Sequence, residues 1–413
     1  MVAMGPLVGV SFTSAVRTYA EVSGLGGTAA GVGEALSPLV GIWAPTFSAC
    51  ELAAAFLLPF VAIRLVSGDR RSGALTLELQ RPMSPVLRVS AKAVVLLGGW
   101  LLALTPAFVT IALWKMYGGA VYSPELLTVV LGHLLNAGLT IALGAATASF
   151  MQHPSSAAIV TLAVTVGTWV LNFVADVQGG IWERAALYTP TALVAQFQHG
   201  LIKVDVVLIV ITLIGCGVVL AAIWLRLGVT LRQKLYESSG LAAVAAAVVM
   251  MSTFARGSID TSENRMNSLP QRDEMTLRHL RGPLRIEAHL APADPRRADL
   301  ERQTLAKLRR VIPVEVTYVS STSIGLFEQT AAHYGEIWYQ LADRKAMGRS
   351  TTTDGVLETI YHVAGITPPA EDDAPAFRGH PLAVPPRGAA LLFYLLWPMT
   401  IAALAVVIPR RFV

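Results

Sequence analysis

The stretch VVLIVITLIGCGVVLAAIWL, residues 206–225, runs for twenty residues without a charge. A helix needs about twenty apolar residues to cross a hydrocarbon core of roughly 30 Å, so this stretch predicts a transmembrane helix. The composition points the same way, because 54% of the 413 residues are hydrophobic and only 14% are charged. A soluble core of this size does not need so large an apolar fraction, and we expect the excess to face lipid.

Eight such stretches predict an α-helical polytopic membrane protein of about eight spans. Their approximate limits are Met1–Ala20, Thr46–Leu65, Ala93–Trp114, Glu125–Phe150, Ala157–Val174, Val206–Leu225, Leu241–Ala255 and Ala389–Ile408. The seventh is the weakest, because it is short and rich in alanine. The first begins abruptly, with Met1 already apolar, and we expect the natural start to lie upstream of Met1.

The net charge of +5 indicates membrane topology better than nucleic-acid binding. Between Arg256 and Arg387 there are 17 basic and 17 acidic residues, so the positive excess lies elsewhere. Eleven basic residues cluster where an eight-span path returns to one side: Arg64, Arg70, Arg71, Arg81, Arg88, Lys92, Arg226, Arg232, Lys234, Arg410 and Arg411. Cytoplasmic loops retain Lys and Arg. We therefore expect a multi-pass protein of the inner (plasma) membrane, with both termini cytoplasmic and residues 256–388 outside.

Residues 256–367 predict a small extracytoplasmic α/β domain, because their hydrophobic period alternates between two and about 3.6. The predicted strands are Leu284–Leu290, Val314–Val319 and Tyr334–Leu341. One helix opens at Asp294-Pro295, and another covers Thr353–Ala364, with Thr351 as its cap and Gly365 as its end. Residues 368–388 are rich in proline, acidic and small residues, which predicts a linker to the last span. No disulfide is expected, because Cys50 and Cys216 both lie in predicted spans.

The loop between the second and third spans is SGDRRSGALTLELQRPMSPVLRVSAK, residues 67–92. Charges at its start are followed by an apolar set and then by Pro82 and Pro85, a pattern that predicts a short amphipathic helix at the cytoplasmic surface. Such a helix can dock in a groove of a partner protein. The alternative is a solvated loop that only carries positive-inside charges, and the residues by themselves favour neither interpretation.

This loop resembles the coupling segment of type-2 ATP-binding-cassette (ABC) exporter permeases. The order is a charged pair, Ser-Gly, a leucine-rich turn, Arg-Pro, Ser-Pro and a lysine that opens the next helix. The resemblance covers about residues 1–235 and includes six spans and, at Tyr188–Leu201, a helical outer segment before the sixth. It implies contact with a separate cytosolic ATPase through Asp69, Arg70, Arg71, Ser72, Gly73, Leu75, Leu77, Leu79 and Pro82. The family usually begins with a cytoplasmic interface helix, and this sequence departs from that pattern.

A second resemblance follows the seventh span. The motifs DTSENR at 260–265, NSLP at 267–270 and LRGPL at 280–284 are similar to the start of gliding-motility-type ABC auxiliary proteins. In that family a membrane helix carries an extracytoplasmic α/β domain. The resemblance implies that this chain is a fusion of a permease and a shortened auxiliary domain.

Signatures of catalysis are missing from the sequence. It contains no GxxxxGK[ST] loop to cradle phosphates, no HExxH pair and no paired CxxC motifs. We therefore expect a non-enzymatic chain without a cofactor or metal, whose ATP is hydrolysed by another subunit.

Ionisable residues inside spans are functional candidates, because each is costly in hydrocarbon unless it faces protein or water. Glu51 and His133 meet this description, with Asn136 and Asn172 as polar companions, and together they form a candidate translocation path. The alternative role is hydrogen bonding between helices. Asp176 marks the outer end of its span.

Two functions are compatible with these patterns. In the first, residues 1–235 form a six-helix permease domain that pairs with a second copy or a paralogue and with a cytosolic ATPase dimer. The rest of the chain then supplies the seventh span (residues 236–255), the outer domain (256–367), the linker (368–388) and the last span with its cytoplasmic tail (389–413). In the second, the chain is a non-transporting membrane scaffold that presents the outer domain to an envelope partner. The sequence does not indicate the transported substrate.

Overall fold

The computed structural model describes residues 2–25, 37–71, 73, 82–117, 119, 121–178, 181–186, 188–255, 257–263, 265–280, 282–291, 294–319, 333–369, 386 and 388–407. The chain divides into two compact units. We call Met1–Asn264 with Ala376–Val413 the membrane unit, and Arg265–Pro375 the sheet unit. The predicted linker, residues 368–388, lies largely outside the described residues.

The membrane unit is built from helices. In chain order they are α1 (Met4–Leu25), α2 (Ala44–Arg71, preceded by a π-helical turn at Leu39–Trp43), α3 (Pro85–Ala103), α4 (Thr105–Met116), α5 (Ser123–Phe150), α6 (Pro154–Gln178), α7 (Ile181–Ala186), α8 (Pro190–Gln198), α9 (Val204–Leu225) and α10 (Leu231–Ser252). At the end of the chain a continuous helix comprises α15 (Ala389–Leu391), a π-helical turn (Leu392–Leu396) and α16 (Trp397–Val407). Two short strands, β1 (Leu201–Lys203) and β2 (Ser258–Asp260), pair antiparallel beside α9.

Seven of the described helices are long and apolar enough to cross a membrane. They are Leu39–Asp69, Pro85–Met116, Ser123–Phe150, Pro154–Ala175, Val204–Leu225, Leu231–Ser252 and Ala389–Val407. The seventh predicted span is among them. The first is not: α1 forms as a helix of 22 residues, but Arg17, Glu21 and its serines and threonines interrupt the long apolar stretch that a span needs. The predicted count of eight is therefore one higher than these seven.

Helix α5 occupies the centre of the membrane unit, and half of the residues in its most apolar 18-residue stretch are buried. Its glycines Gly132, Gly138 and Gly144 are six residues apart, which turns an α-helix by about 600° and points them about 120° from one another. A Cβ at each position would lie 2.4 Å from Phe197 Cβ in α8, 3.0 Å from Ile214 Cδ1 in α9 and 3.1 Å from Ala62 Cβ in α2, respectively. Small residues let membrane helices approach closely. Each glycine therefore admits a different neighbouring helix.

Helix α1 packs against the last helix through Gly5 and Gly9. A Cβ on Gly5 would lie 2.3 Å from Cδ1 of Trp397, and one on Gly9 would lie 2.5 Å from Cβ of Phe393. This is the GxxxG spacing that favours close contact between membrane helices. The last helix is otherwise peripheral, because only 6% of its most apolar 18-residue stretch is buried within the described chain.

The sheet unit is a four-stranded mixed sheet with helices on one face. Its elements are α11 (Gln271–Arg278), β3 (Leu284–Ala288), α12 (Pro295–Asp299), a π-helical turn (Leu300–Leu305), α13 (Ala306–Val311), β4 (Val314–Tyr318), β5 (Ile337–Leu341), β6 (Arg344–Gly348) and α14 (Thr353–Ala364). The strand order is β4-β3-β5-β6, and only β3 and β4 are parallel. Alternate residues of β3 are buried, as are alternate residues of β5, so one face of each strand contributes to the core.

The sequence predicted most of these elements, with two corrections. The cap of α14 is Thr352, whose Oγ1 accepts a hydrogen bond from the Gly355 amide, and not Thr351, whose carbonyl accepts one from the Thr304 hydroxyl. The structure also adds β6, which the polar sequence of Arg344–Gly348 concealed. Gly365 ends α14 as predicted, with a φ of 69° that favours glycine.

Asp294 fixes the start of the helix that follows β3. Its carboxylate accepts hydrogen bonds from the Arg296 amide at 2.9 Å, from Nη2 of Arg296 at 2.8 Å and from the Tyr334 hydroxyl at 2.7 Å. The hydrogen bond from the Arg296 guanidinium is the main cause that lowers the pKa of Asp294 to about 2. This residue therefore stabilises the sheet unit most in its ionised form.

The low pKa of Asp294 predicts a loss of local stability in acid. The folded pKa lies below the unfolded value of about 3.9, so the contribution is present above about pH 5 and is lost as the pH falls towards 2. We expect Asp294→Asn to increase hydrogen exchange of segment 284–311 above pH 5, with a difference from wild type that shrinks towards pH 2. Hydrogen exchange of the full chain in detergent measures this. Equal exchange in both proteins at every pH would contradict the prediction.

Candidate functional site

A buried polar cluster lies in the membrane unit where α2, α5 and α8 meet. Its central residue is His133 in α5, which is only 1% exposed. The imidazole lies against the ring of Phe47, with 5.5 Å between ring centroids. Neither ring nitrogen has a hydrogen-bond partner among the described residues.

Glu51 reaches the same cluster from α2. It follows Phe47 by four residues, which places both on one side of the helix. Its half-buried carboxylate interacts with the side chain of Gln198, at the end of α8. That contact does not satisfy Nε2 of Gln198, which makes no hydrogen bond of normal geometry. The neighbouring Phe197 contacts Gly132 of α5, and this close approach holds the end of α8 next to His133.

Asn136 extends the cluster along α5. It lies three residues after His133 on the helix and is 7% exposed. It lines a cavity of about 10 Å³ together with Pro190, Leu193 and Phe197. A space of that size has room for about one water molecule. The structure thus places three of the four predicted translocation residues, Glu51, His133 and Asn136, around Phe47 and the end of α8, at the junction of α2, α5 and α8.

Asn172, the fourth, has a local structural role. Its Oδ1 accepts a hydrogen bond of 2.8 Å from the Thr189 hydroxyl. Thr189 is the cap of α8, because its Oγ1 accepts a hydrogen bond from the Ala192 amide. Asn172 therefore fastens α6 to the first turn of α8, at the opposite end of α8 from Gln198. The side chain of Asp176 lies outside the described residues.

The predicted coupling loop is described only at its ends. Ser72, Leu75, Leu77 and Leu79 lie outside the described residues, as do the side chains of Arg70 and Arg71. At the base of the loop, the carboxylate of Asp69 in α2 forms an ion pair with Nζ of Lys92 in α3. Gly73 has a φ of 74°, Pro82 is exposed, and Ser84 caps α3. The ion pair ties together the two helices that flank the loop.

A third arrangement connects α5 to the segment that follows α10. The carboxylate of Glu125, in the first turn of α5, accepts a hydrogen bond from the Glu263 amide, and Glu125 is 3% exposed. The hydroxyls of Thr128 and Thr261 are 2.8 Å apart, and the Thr261 hydroxyl also donates to the carbonyl of Gly200 at 2.9 Å. We call this set the junction cluster. Residues 257–263, which the sequence analysis assigned to the outer domain, thus pack with the membrane unit.

The sequence analysis identified Glu125 only as the start of a span. The motif DTSENR at 260–265 was noticed for its resemblance to auxiliary proteins, and its role in packing was missed. One signal was available: a carboxylate in the first turn of a helix next to the turn-forming residues Asp260 and Ser262. Asp260 accepts hydrogen bonds from the amide and hydroxyl of Ser262, which shapes the turn that presents Glu263.

The junction cluster predicts a specific loss of stability. We expect Glu125→Ala to lower the free energy of unfolding of the full chain by about 1–3 kcal/mol, because the Glu263 amide loses its buried partner. Thr128→Val should cost about 1 kcal/mol, since the contacts of the Thr128 hydroxyl with the Thr261 hydroxyl and the Pro124 carbonyl are lost but no charged group is left without a partner. Thermal unfolding in mild detergent measures both. Glu358→Ala, on the exposed side of α14, is the control and should change nothing; equal melting of wild type and Glu125→Ala would refute the assignment.

Comparison with known proteins identifies no related protein. No protein-family model matches this chain, and no curated protein or solved structure matches it either. The two resemblances noted above therefore rest on the motifs quoted for them, and the assignment of function rests on the residues and their geometry.

Proposed function

We propose that this chain is the membrane-spanning permease subunit of an ABC exporter. In this proposal it lies in the inner (plasma) membrane with residues 256–388 outside, pairs with a second copy or a paralogue, and is driven by a separate cytosolic ATPase dimer bound at residues 67–92. The chain itself does not hydrolyse ATP.

The observation that carries the proposal is the polar cluster around His133. Burying a polar group without a hydrogen bond costs roughly 1–3 kcal/mol by protein mutational data, and leucine at this position would avoid that cost. Ionisable residues within membrane helices are candidates for substrate paths and proton relays, because each is costly to bury there without a function. A path that closes in one state and takes up water or substrate in another accounts for imidazole nitrogens that lack partners here.

Helix α2 provides a mechanical connection between the loop and the cluster. Asp69, beside the loop, follows Glu51 by 18 residues, which is about 27 Å along one helix. Pro59 lies between them inside α2 and removes one backbone hydrogen bond, so the helix can bend there. Gly144 of α5 packs at this point, where its added Cβ would lie 3.4 Å from the Pro59 carbonyl oxygen. Movement of the loop by an ATPase would be transmitted along α2 to Glu51.

The alternative is a non-transporting scaffold, which the compact sheet unit favours. The unit Arg265–Pro375 has its own hydrophobic core, so it could be displayed to an envelope partner without any transport. A scaffold function does not require polar side chains such as His133 that lack hydrogen-bond partners, among the described residues, inside the membrane helices. The two functions therefore differ in what they predict for His133 and for the loop.

The first test concerns the loop. We expect Leu77→Asp to reduce recovery of the ATPase with affinity-tagged chain at least tenfold, because an unpaired carboxylate is costly in an apolar groove. Expression and melting temperature should stay unchanged. Mass spectrometry of the co-purified proteins measures the ATPase. Met275→Asp, an exposed position in the sheet unit, is the matched control. Undiminished ATPase recovery with Leu77→Asp would remove the coupling role from residues 67–92.

The second test concerns the polar cluster. We expect His133→Leu to leave thermal stability unchanged or raised, because unpaired nitrogens are replaced by apolar contact. Substrate-dependent ATPase activity of the purified complex in proteoliposomes should fall at least tenfold. Leu127→Ala, at an exposed position of the same helix, is the control and should keep that activity. A stabilised variant with full activity would show that the cluster is not part of the path.

A further inference from the structure

A groove of about 900 Å³ lies between α1 and the beginning of α2 in the described part of the membrane unit. We call it the α1 groove. The residues that line it are Ala3, Pro6, Leu7, Val10, Ser11, Ser14, Ala15, Thr18, Tyr19, Val40, Gly41 and Pro45. It is separate from the polar cluster and from the coupling loop, and neither motif in the sequence pointed to it.

The α1 groove changes in polarity along its length. From Ala3 to Val10 its wall on α1 is entirely apolar, whereas from Ser11 to Tyr19 four of the lining residues carry hydroxyls. Ala3 and Tyr19 are sixteen residues apart, which corresponds to about 24 Å along a helix, most of the thickness of a hydrocarbon core. A ligand that fills this groove must therefore have a long apolar part and a hydrogen-bonding part at one end.

The polar end lies beside an aromatic cluster. The ring of Tyr19 contacts Trp114 edge to face, with 6.5 Å between centroids, and Trp114 contacts Trp43 at 5.8 Å. Tryptophan and tyrosine are enriched where membrane helices meet the head-group layer. Leu39 and Met116 are ends of two of the seven membrane-length helices, and they lie close in sequence to Trp43 and Trp114. The hydroxyl-bearing end of the groove is thus the end at the bilayer interface.

The hydroxyls differ in what they can offer a ligand. The Ser11 hydroxyl donates to the carbonyl of Pro45, so it joins α1 to α2. Ser14 and Thr18 are exposed, and one helical turn separates them. None of the lining residues carries a charge, and Arg17 and Glu21 are exposed on α1 without lining the groove. A charged head group would find no counter-charge in the wall.

From this geometry we propose that the α1 groove binds a lipid with an uncharged, hydroxyl-bearing head group. The acyl chain lies along Ala3–Val10, and the head group hydrogen-bonds to Ser14 and Thr18. A second copy of this chain is the less suitable occupant, because the wall changes along α1 from apolar residues to hydroxyl-bearing ones, which matches an acyl chain joined to a polar head group. The assignment does not depend on transport; if transport holds, it names a substrate class.

The test is photo-crosslinking of the purified full chain in phosphatidylcholine nanodiscs that contain a diacylglycerol with a diazirine in one acyl chain. We expect mass spectrometry to find the label concentrated in residues 3–19 and 40–45. Ser14→Phe, which fills the groove from an exposed position, should reduce that labelling at least fivefold. Thr18→Val, which keeps the size and removes the hydroxyl, should reduce it about threefold to tenfold.

Controls separate the lipid from the other occupants. Val170→Phe, at an exposed position of α6, should leave the labelling unchanged, and all three variants should melt as wild type does. Labelling of residues 3–19 no stronger than that of α6 would overturn the proposal. So would stronger labelling by a phosphatidylglycerol probe, or a dimer that Ser14→Phe dissociates without any lipid label at the groove. No ATPase is present, so a positive result stands even where the coupling tests fail.

Discussion

Close contact between α5 and its neighbours is the constraint on which the membrane unit depends. Three glycines, placed about 120° apart around one helix, let α2, α8 and α9 approach from three directions. In lipid there is little hydrophobic driving force between helices, so dense van der Waals contact has to hold them together. A methyl group at Gly132 would collide with the side chain of Phe197 and push α8 away. The position of the polar cluster follows from this packing.

Burying the polar cluster without hydrogen bonds is destabilising, and close packing in the rest of the membrane unit offsets that free energy. His133 lies in the helix that makes the closest contacts, next to residues that leave it no partner in the described structure. In the proposed function, this buried imidazole marks the place where the surrounding helices would open to water or substrate in a second state. Glu51 and Asp69, at the base of the loop of residues 67–92, lie on the same helix, α2, and the proposed function requires that helix to transmit the movement of the loop. Its interior proline supplies a place to bend.

The junction cluster gives a physical meaning to a motif that first attracted attention as a resemblance. Asp260, Thr261, Ser262 and Glu263 form a turn whose hydrogen bonds reach α5 and the Gly200 carbonyl. These bonds satisfy polar groups where the chain leaves its last buried helix contacts, just before the sheet unit begins at Arg265. A motif of this kind can recur in unrelated chains wherever a helix leads into a folded domain, because turn geometry and helix-end hydrogen bonding demand the same residue types.

The sequence by itself determined which segments become helices and strands. Long apolar runs predicted eight spans, of which seven form helices long and apolar enough to cross a membrane in the described part of the chain, and alternation predicted β3, β4 and β5. These properties depend on local composition and period. The sequence analysis assigned α1 as a span, although α1 is not among the helices long and apolar enough to cross a membrane. It also missed β6, because the polar sequence of β6 gives no strand pattern and its pairing with β5 appears only in the structure. Only the tertiary structure decided that Phe47, one turn before Glu51, lies against His133. It also decided that Asn172 accepts a hydrogen bond from Thr189, and that Glu125 accepts one from the amide of Glu263, 138 residues later. The reason is physical: contacts between distant residues depend on helix rotation and close approach, which glycine positions permit but do not specify from sequence alone.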